Sequence, residues 1–290
     1  MRVYVTGGGL GFIGGHVVRV LRERGADVRD EYVDVNDGPG LERAMRGCDA
    51  VVHVAALYSY DRRDEAALAR VNIGGTRTVL AAAAAAGVGR VVHTSSCATC
   101  GPVSGRPATE ADEPPAWELA VPYKRTKLEA ERLALAAGAV VVNPTTPVGD
   151  GDLRPTPTGA MVAGVARGRY RGYIPATGLN VVDVRDVALG HALALERGRP
   201  GERYLLGGTD IWLGDLFALI ARAAGRPRPR IRIPYAIARA AAAARLVNRQ
   251  QVLLARTAAF FSSAKAEAEL GYRAGPVEPA LERAVADASR

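Results

Sequence analysis

The 290-residue chain is short of cysteine, lysine and long apolar runs. Three cysteines, Cys48, Cys97 and Cys100, are too few for a disulfide framework. The "CATC" stretch (97–100) has C-x-x-C spacing, but no second C-x-x-C or H-x-x-x-H completes a metal site, so it reads as two small apolar residues ending a strand. No apolar stretch reaches the ~18 residues needed to span a bilayer. The longest low-complexity run, Ala81 to Ala86, is helix-forming alanine. The opening "MRVYVTGG" goes straight into a strand and has no signal-peptide layout, which predicts a cytoplasmic protein with no membrane span. Net charge is +8, yet only Lys124, Lys127 and Lys265 of the 38 basic residues are lysine. The rest are scattered arginines without a basic block of five or six. This argues against nucleic acid as a partner and for an attraction to anionic small molecules.

What is present is ordinary for a globular protein: 48% hydrophobic and 23% charged residues. The first half alternates strand and helix signals, which predicts a parallel sheet covered on both faces. Strands are expected at 2–6, 50–56, 90–96 and 139–144, with one or two short ones in 28–35. Helices are expected at 11–24, 40–47, 62–86 and 123–137. After Gly149 the texture changes to turn chemistry, short strands and proline-rich joints. The expected division is a doubly wound α/β (Rossmann) domain over 1–148 and 178–207. A smaller, mostly helical substrate-binding part covers 149–177 and 208–290. No internal repeat is evident.

The strand at 2–6 runs into "GGGLGFIGG". A strand-to-helix turn binds a pyrophosphate because the helix N-terminus offers free N–H groups and partial positive charge, and glycine admits the phosphate. Gly8, Gly11 and Gly14 give G-x-x-G-x-x-G spacing, with Gly7 or Gly9 as an extra residue; Gly7, Gly11 and Gly14 form the alternative register. Further on, "YKRTK" places Tyr123 and Lys127 at i and i+4 on one helix face. An ammonium near a phenol lowers the tyrosine pKa. Such a tyrosine can exchange a proton with a hydroxyl or carbonyl while nicotinamide exchanges the hydride.

The glycine turn, "HVAA" (53–56), Asn72, "TSS" (94–96) and Tyr123-x-x-x-Lys127 occur in one order and spacing. Together they resemble the extended short-chain dehydrogenase/reductase (NAD-dependent epimerase/dehydratase) family over nearly the whole chain. "NPTTPVG" (143–149), "ERYLLGG" (202–208) and "FFSSAKAEAELGYR" (260–273) are similar to its hopanoid-associated sugar epimerase and dihydroflavonol 4-reductase-like subgroup. The resemblance implies NAD or NADP as cofactor and a homodimer paired through the helices at 62–86 and 123–137. It implies a catalytic set of Ser96, Tyr123, Lys127 and Asn72, with Ser95 as the neighbour of Ser96 that could take its place. Cofactor contacts are implied at Gly8, Gly11, Phe12, Ile13, Gly14, Asp34, Val35, Ala55, Ala56, Tyr123, Lys127, Pro144 and Thr145.

Two departures from the family pattern bear on function. Asn143 and Thr146 replace an arginine and an asparagine of sugar-nucleotide epimerases, and Asp183 and Arg185 alter a strand that reads V-H-V-D-D. The segment from Ala26 to Tyr32 is short where a whole second strand and its loop are usual, so the NAD-versus-NADP signal is not legible there. Three functions follow as expectations. The first is an NAD(P)-dependent oxidoreductase of the epimerase/dehydratase type acting on a carbinol or carbonyl carbon, with a nucleotide sugar as its small-molecule substrate. The others are an NADP-dependent ketone reductase and a non-catalytic NAD(P)-sensing protein.

Overall fold

The computed structural model describes residues 1–8 and 10–288. The N-terminal half is built on apolar strands that alternate with helices. In chain order these are β1 (Arg2–Thr6), α1 (Phe12–Glu23), β2 (Asp27–Arg29), α2 (Gly38–Met45), β3 (Ala50–His53), α3 (Glu65–Leu68), α4 (Gly75–Ala85), β4 (Arg90–Thr94), α5 (Pro122–Ala136) and β5 (Val140–Pro144). There follow β6 (Thr146–Val148), α6 (Pro157–Ala166), β7 (Gly172–Tyr173), β8 (Gly178–Asp183), α7 (Val184–Arg197) and β9 (Arg203–Leu206). The remainder is β10 (Thr209–Trp212), α8 (Leu213–Ala223), β11 (Ile231–Arg232), α9 (Tyr235–Ala243), α10 (Arg249–Leu254), β12 (Ala258–Ala259), α11 (Ala264–Leu270) and α12 (Glu278–Ala288).

Six strands form one all-parallel sheet in the order β2-β1-β3-β4-β5-β9. Its inner strands are continuous apolar runs because helices cover both faces: Val3, Val5, Val51, Val52, Val92 and Val142 are fully buried. On one face, Val17, Val18 and Leu21 of α1 pack with α7 and the sheet. On the other, α2 packs on α4 around Leu41, Met45 and Val79. Asp37 caps α2, its carboxylate accepting the Gly40 N–H at 3.0 Å. Strand order reverses between β1 and β3. The crevice at the strands' C-terminal ends therefore opens beside the glycine turn, the site at which doubly wound sheets bind ligands.

Of the one or two short strands expected in 28–35, one forms, the three-residue β2; Asp30 to Asp37 are largely charged or exposed and have no further strand to pair with. Three expectations change in detail. The helix expected at 62–86 is broken: a 3-10 turn at Arg62–Asp64 and the short α3 lead into a π-turn over Ala69–Gly74 before α4. The strands expected to extend to 56 and 96 stop at His53 and Thr94, where the chain turns into the crevice. Strand β8, expected beside the Rossmann strands, instead joins β6, β10 and β12 in a second sheet, while α7 and β9 do join the large one. Behind the second sheet, α6, α8 and α12 enclose a separate core around Val162, Leu216, Ile220 and Leu281.

Candidate active site

The turn after β1 is shaped by Gly7. Its φ of +63° lies in the left-handed region, and an added Cβ would lie 3.1 Å from that of Ala55. The Gly7 carbonyl accepts the Gly11 N–H at 3.2 Å. It also lies 3.3 Å and 3.1 Å from where Cβ atoms on Gly11 and Gly14 would stand, so side chains at either would displace the turn. Gly8 does a different job: a Cβ there would meet that of Asp30 at 2.8 Å and Val18 at 3.0 Å. The turn glycine is therefore Gly7, and Gly8 lets the loop close onto β2 and α1. Gly9 lies outside the described residues. Gly11 is the N-cap of α1 and supplies no side-chain cap, so the helix N-terminus keeps its outward N–H groups, with Phe12 and Ile13 in its first turn. The cradle fits a pyrophosphate.

The Thr6 hydroxyl accepts the N–H groups of Val54 and Ala55, both at 3.1 Å, and ties this turn to the loop after β3. Ala55 is partly buried and Ala56 exposed beside it. Asn72 holds the other end of that loop. Its Oδ1 accepts Leu57 N–H at 2.8 Å, and its Nδ2 donates to Leu57 O at 3.1 Å and to Thr126 Oγ1 at 3.2 Å. Asn72 sits within the π-turn, a local irregularity common at functional sites. Val35 is buried against Gly75, whereas Asp34 is exposed and accepts both the backbone and side-chain N–H groups of Asn36, which hold its carboxyl below its ordinary value.

Helix α5 starts with Pro122, whose fixed φ suits the first helical position. It places Tyr123 at the crevice and buries Lys127 and Glu131 below it. The Ser96 hydroxyl accepts the Ala98 N–H at 3.2 Å and stands close enough to the Tyr123 phenol to favour its ionised form. Ser95 Oγ is instead buried without a partner, so Ser96 is the serine that faces Tyr123. The Tyr123 ring lies 4.5 Å from that of Tyr58 and 6.0 Å from that of Tyr60, and the two hydroxyls of Tyr58 and Tyr60 are 3.2 Å apart. These three rings wall the crevice. Pro144 ends β5, and Thr145 follows with a buried hydroxyl that has no partner, leaving a polar group available on the same side.

The electrostatics differ from the sequence-based expectation. Burial raises the Tyr123 pKa, and a charge on Tyr58 would raise it further; only the Ser96 hydrogen bond works the other way among the strong contributions. Lys127 is not among the groups that move it; its ammonium donates to the Thr94 carbonyl at 2.8 Å. Burial pulls Lys127 itself down to about 8, with Glu131 opposing. In the protein alone, the Tyr-Lys spacing places both groups in the crevice without making tyrosine acidic.

A buried polar network that no motif announced holds this arrangement. One Glu131 oxygen accepts Thr99 Oγ1 at 2.7 Å and Asn143 Nδ2 at 2.6 Å, and the other accepts Arg203 at 2.7 Å. Asn143 Nδ2 also reaches the Ser96 carbonyl at 3.1 Å. The network pins the 3-10 turn after Ser96 to α5, β5 and β9. The only sequence signal was the unusual asparagine at 143. Cys97 and Cys100 are free thiols, both raised to about 12 by burial. Among the described residues no group of three or more His, Cys, Asp or Glu is placed to hold a metal ion.

A parallel doubly wound sheet, a glycine cradle at its switch point and a serine–tyrosine–lysine set beside it define a nicotinamide-dinucleotide enzyme. The chain belongs to the NAD dependent epimerase/dehydratase family, whose model matches residues 3–207. It is 41% identical over 259 residues to the "Putative dihydroflavonol 4-reductase" of Synechocystis sp., covering 80% of this chain and 75% of that one. It is 32% identical over 257 residues to "Sterol demethylase protein B" of Methylococcus capsulatus, covering 81% and 78%. Among solved structures, a nucleoside-diphosphate-sugar epimerase from Pseudomonas aeruginosa superposes with a TM-score of 0.84 at 27% identity, over 99% of this chain and 97% of that one. The protein is thus an NAD(P)-dependent enzyme whose relatives include reductases and epimerases. Among the described residues no helix is long and apolar enough to cross a membrane.

Proposed function

We propose that the enzyme interconverts a ketone and a secondary alcohol on an apolar substrate in a single NAD(P)-dependent step. The carrying observation is the aromatic wall of Tyr58, Tyr60 and Tyr123, which offers ring faces rather than charge beside the reacting position. The state of Asn143 agrees: where sugar-nucleotide epimerases carry an arginine, this asparagine is fully buried and bonded inside the protein. The reductase name of the Synechocystis relative points the same way.

In this reading the bound dinucleotide supplies or accepts the hydride at the carbinol carbon. Gly7, Gly11 and Gly14 admit its pyrophosphate to the α1 N-terminus. Asp34, Val35, Ala55 and Ala56 line its adenine side, and Pro144 and Thr145 flank its nicotinamide side. Ser96 holds the substrate oxygen by hydrogen bonding. Tyr123 gives a proton to that oxygen in reduction and takes one in oxidation. The raised Tyr123 pKa suits proton donation, since the group stays protonated at neutral pH. Lys127 contributes the ribose contact, and Asn72 keeps the loop after β3 and α5 in register. The segments 149–177 and 208–290 would carry the substrate contacts.

Asp30 favours NAD over NADP. It follows the last residue of β2, its Cβ lies against Gly8, and its carboxylate, which accepts Arg22 at 2.9 Å through one oxygen, has the other to accept a ribose hydroxyl. Light scattering would test a cytoplasmic homodimer paired through α4 and α5, which present small exposed alanines such as Ala81, Ala84 and Ala85. A monomer mass at micromolar concentration would refute the pairing.

The test of function is to assay ketones of graded size and nucleotide sugars with both cofactors, and to identify any dinucleotide that co-purifies. Turnover-linked loss of free NAD(P)H with a ketone supports the reductase. Epimerisation of a nucleotide sugar with a retained, stoichiometric dinucleotide would establish the second reading, which the likeness to the Pseudomonas epimerase favours.

A further inference from the structure

The substrate-side segment has a charge asymmetry that the reaction does not use. Between Asp215 and Glu267 there is no acidic residue, whereas eight arginines fall between Arg222 and Arg249. All eight are exposed, and none pairs with a carboxylate among the described residues. Interleaved with them are exposed aliphatic side chains: Ile231 is 58% accessible, Ile237 59%, Leu246 78% and Val247 46%.

Apart from Arg222, which lies in the last turn of α8, these residues sit on a cap made of β11, α9, α10 and the segments around them. Its small core, Ala238, Ala242 and Val252, packs with Ile174, Ile233 and Tyr235. That core takes up the inner side of α9, so Ile237 and Arg239 are left outward. The turn after α9 is forced outward as well. Arg245 has a φ of 60°, the sole positive φ of a non-glycine among the described residues, and Leu246 and Val247 follow it into solvent. Glycine or asparagine is the usual choice at such a helix end.

We propose that the 226–254 cap is a docking face for an anionic lipid bilayer, with Ile231, Ile237, Leu246 and Val247 entering the interface and the arginines contacting the headgroups. Aliphatic tips and unpaired arginines are each tolerated in water, but together they match an anionic membrane, which takes the tips into its interface and the arginines to its headgroups. A nucleic acid would be matched by the charge but not by the aliphatic side chains. The cap also reaches the site: Asn248 Nδ2 donates to the Tyr60 carbonyl at 3.0 Å. An apolar substrate dissolved in the membrane would therefore be taken up beside the tyrosine wall. Delivery rests on the ketone reading; the docking does not.

The test is co-sedimentation of the full chain with vesicles of 30% phosphatidylglycerol in phosphatidylcholine, or of phosphatidylcholine alone. We expect binding to the first only, weakened in 1 M salt, where the screening length falls to about 3 Å. Each basic residue near an anionic surface strengthens binding by about five-fold, so Arg228→Glu/Arg230→Glu/Arg239→Glu should weaken it by about 100-fold or more. Ile237→Ser/Leu246→Ser should weaken it without altering the charge. Circular dichroism and the thermal unfolding midpoint should match the wild type for both variants. No binding to anionic vesicles, or wild-type binding by the triple variant, overturns the proposal. Wild-type binding by the double variant refutes insertion, and tighter binding to a duplex RNA would assign the face to nucleic acid. If vesicles bind but no ketone is reduced, the functional reading fails and the docking stands.

Discussion

The Lys127 ammonium donates to the carbonyl of Thr94, two residues before Ser96, at 2.8 Å. One bond thus fixes α5 against the end of β4 and sets the separation of the two side chains on which proton transfer depends. Tyr123→Phe keeps the ring stacked on Tyr58 and removes the transferable proton. Turnover should fall by ~10²–10⁴. Dinucleotide affinity, measured by calorimetry, should stay within a few fold; wild-type turnover would rule out Tyr123 as the proton donor.

The glycine cradle predicts a binding defect without unfolding. Gly11→Val places branched carbon beside the Gly7 carbonyl, already 3.3 Å from a single Cβ. Dinucleotide binding should be lost by calorimetry, while the thermal unfolding transition persists. Unchanged affinity would mean that the pyrophosphate lies elsewhere.

Cofactor preference should depend on Asp30. Asp30→Ala removes the carboxylate that pairs with Arg22 and should shift the ratio of kcat/KM for NADH over NADPH toward NADPH by about ten-fold, the size expected for one hydrogen bond to a charged group. An unaltered ratio would show that the 2′ position is read by other residues.

Acid stability should reflect buried histidines. Burial, helped by the Lys127 charge, lowers His53 to about 3 and pushes His93 well below its ordinary value; burial lowers His191 to about 4. Between about pH 6.5 and these values the unfolded chain binds protons that the folded chain excludes, so stability rises with pH across that window and falls on acidification. Neither ring nitrogen of His93 has a partner. His93→Phe should therefore leave stability at pH 7 unchanged or raised, and should flatten its decline between pH 6.5 and 4. Urea midpoints across that range decide the matter: a parallel, unflattened decline would exclude His93 as a contributor.

The Glu131 network should be costly to break. Its carboxylate is 1% exposed and its partner Arg203 is 17% exposed. Glu131→Ala strands Arg203, Thr99 and Asn143 together, a loss of about 3–5 kcal/mol for one half of a buried pair. Denaturant unfolding should show it. A change below about 1 kcal/mol would mean that water or another carboxylate takes over.

Much of this molecule was legible in the sequence because the signals were periodic or local. The apolar runs of β1, β3, β4 and β5 announced a sheet buried on both faces, and Tyr123 to Lys127 on one helix face followed from spacing alone. The sequence leaves the registers through Gly7 and Gly8 both open, since nothing in "GGGLG" says which residue takes φ of +63°. The pairing of β8 with β6 and β10 is a long-range choice that its own residues do not encode. The tyrosine pKa could not be inferred from i,i+4 geometry, because it depends on how deeply the phenol is buried and on where the ammonium finds its oxygen.

The large sheet ends at β2, a strand of three residues reading Asp27-Val28-Arg29. A sheet edge is an open row of amides on which a foreign strand can grow, and long apolar edges invite aggregation. Here the row is about one hydrogen-bond repeat long and guarded by charge: Arg2 pairs with Asp27, and Arg29 bends over to the carbonyls of Ala44 and Arg46. The shortened segment that obscures the cofactor signal therefore leaves little edge for a passing chain to extend. Lengthening it with β-branched residues would expose a template for self-association.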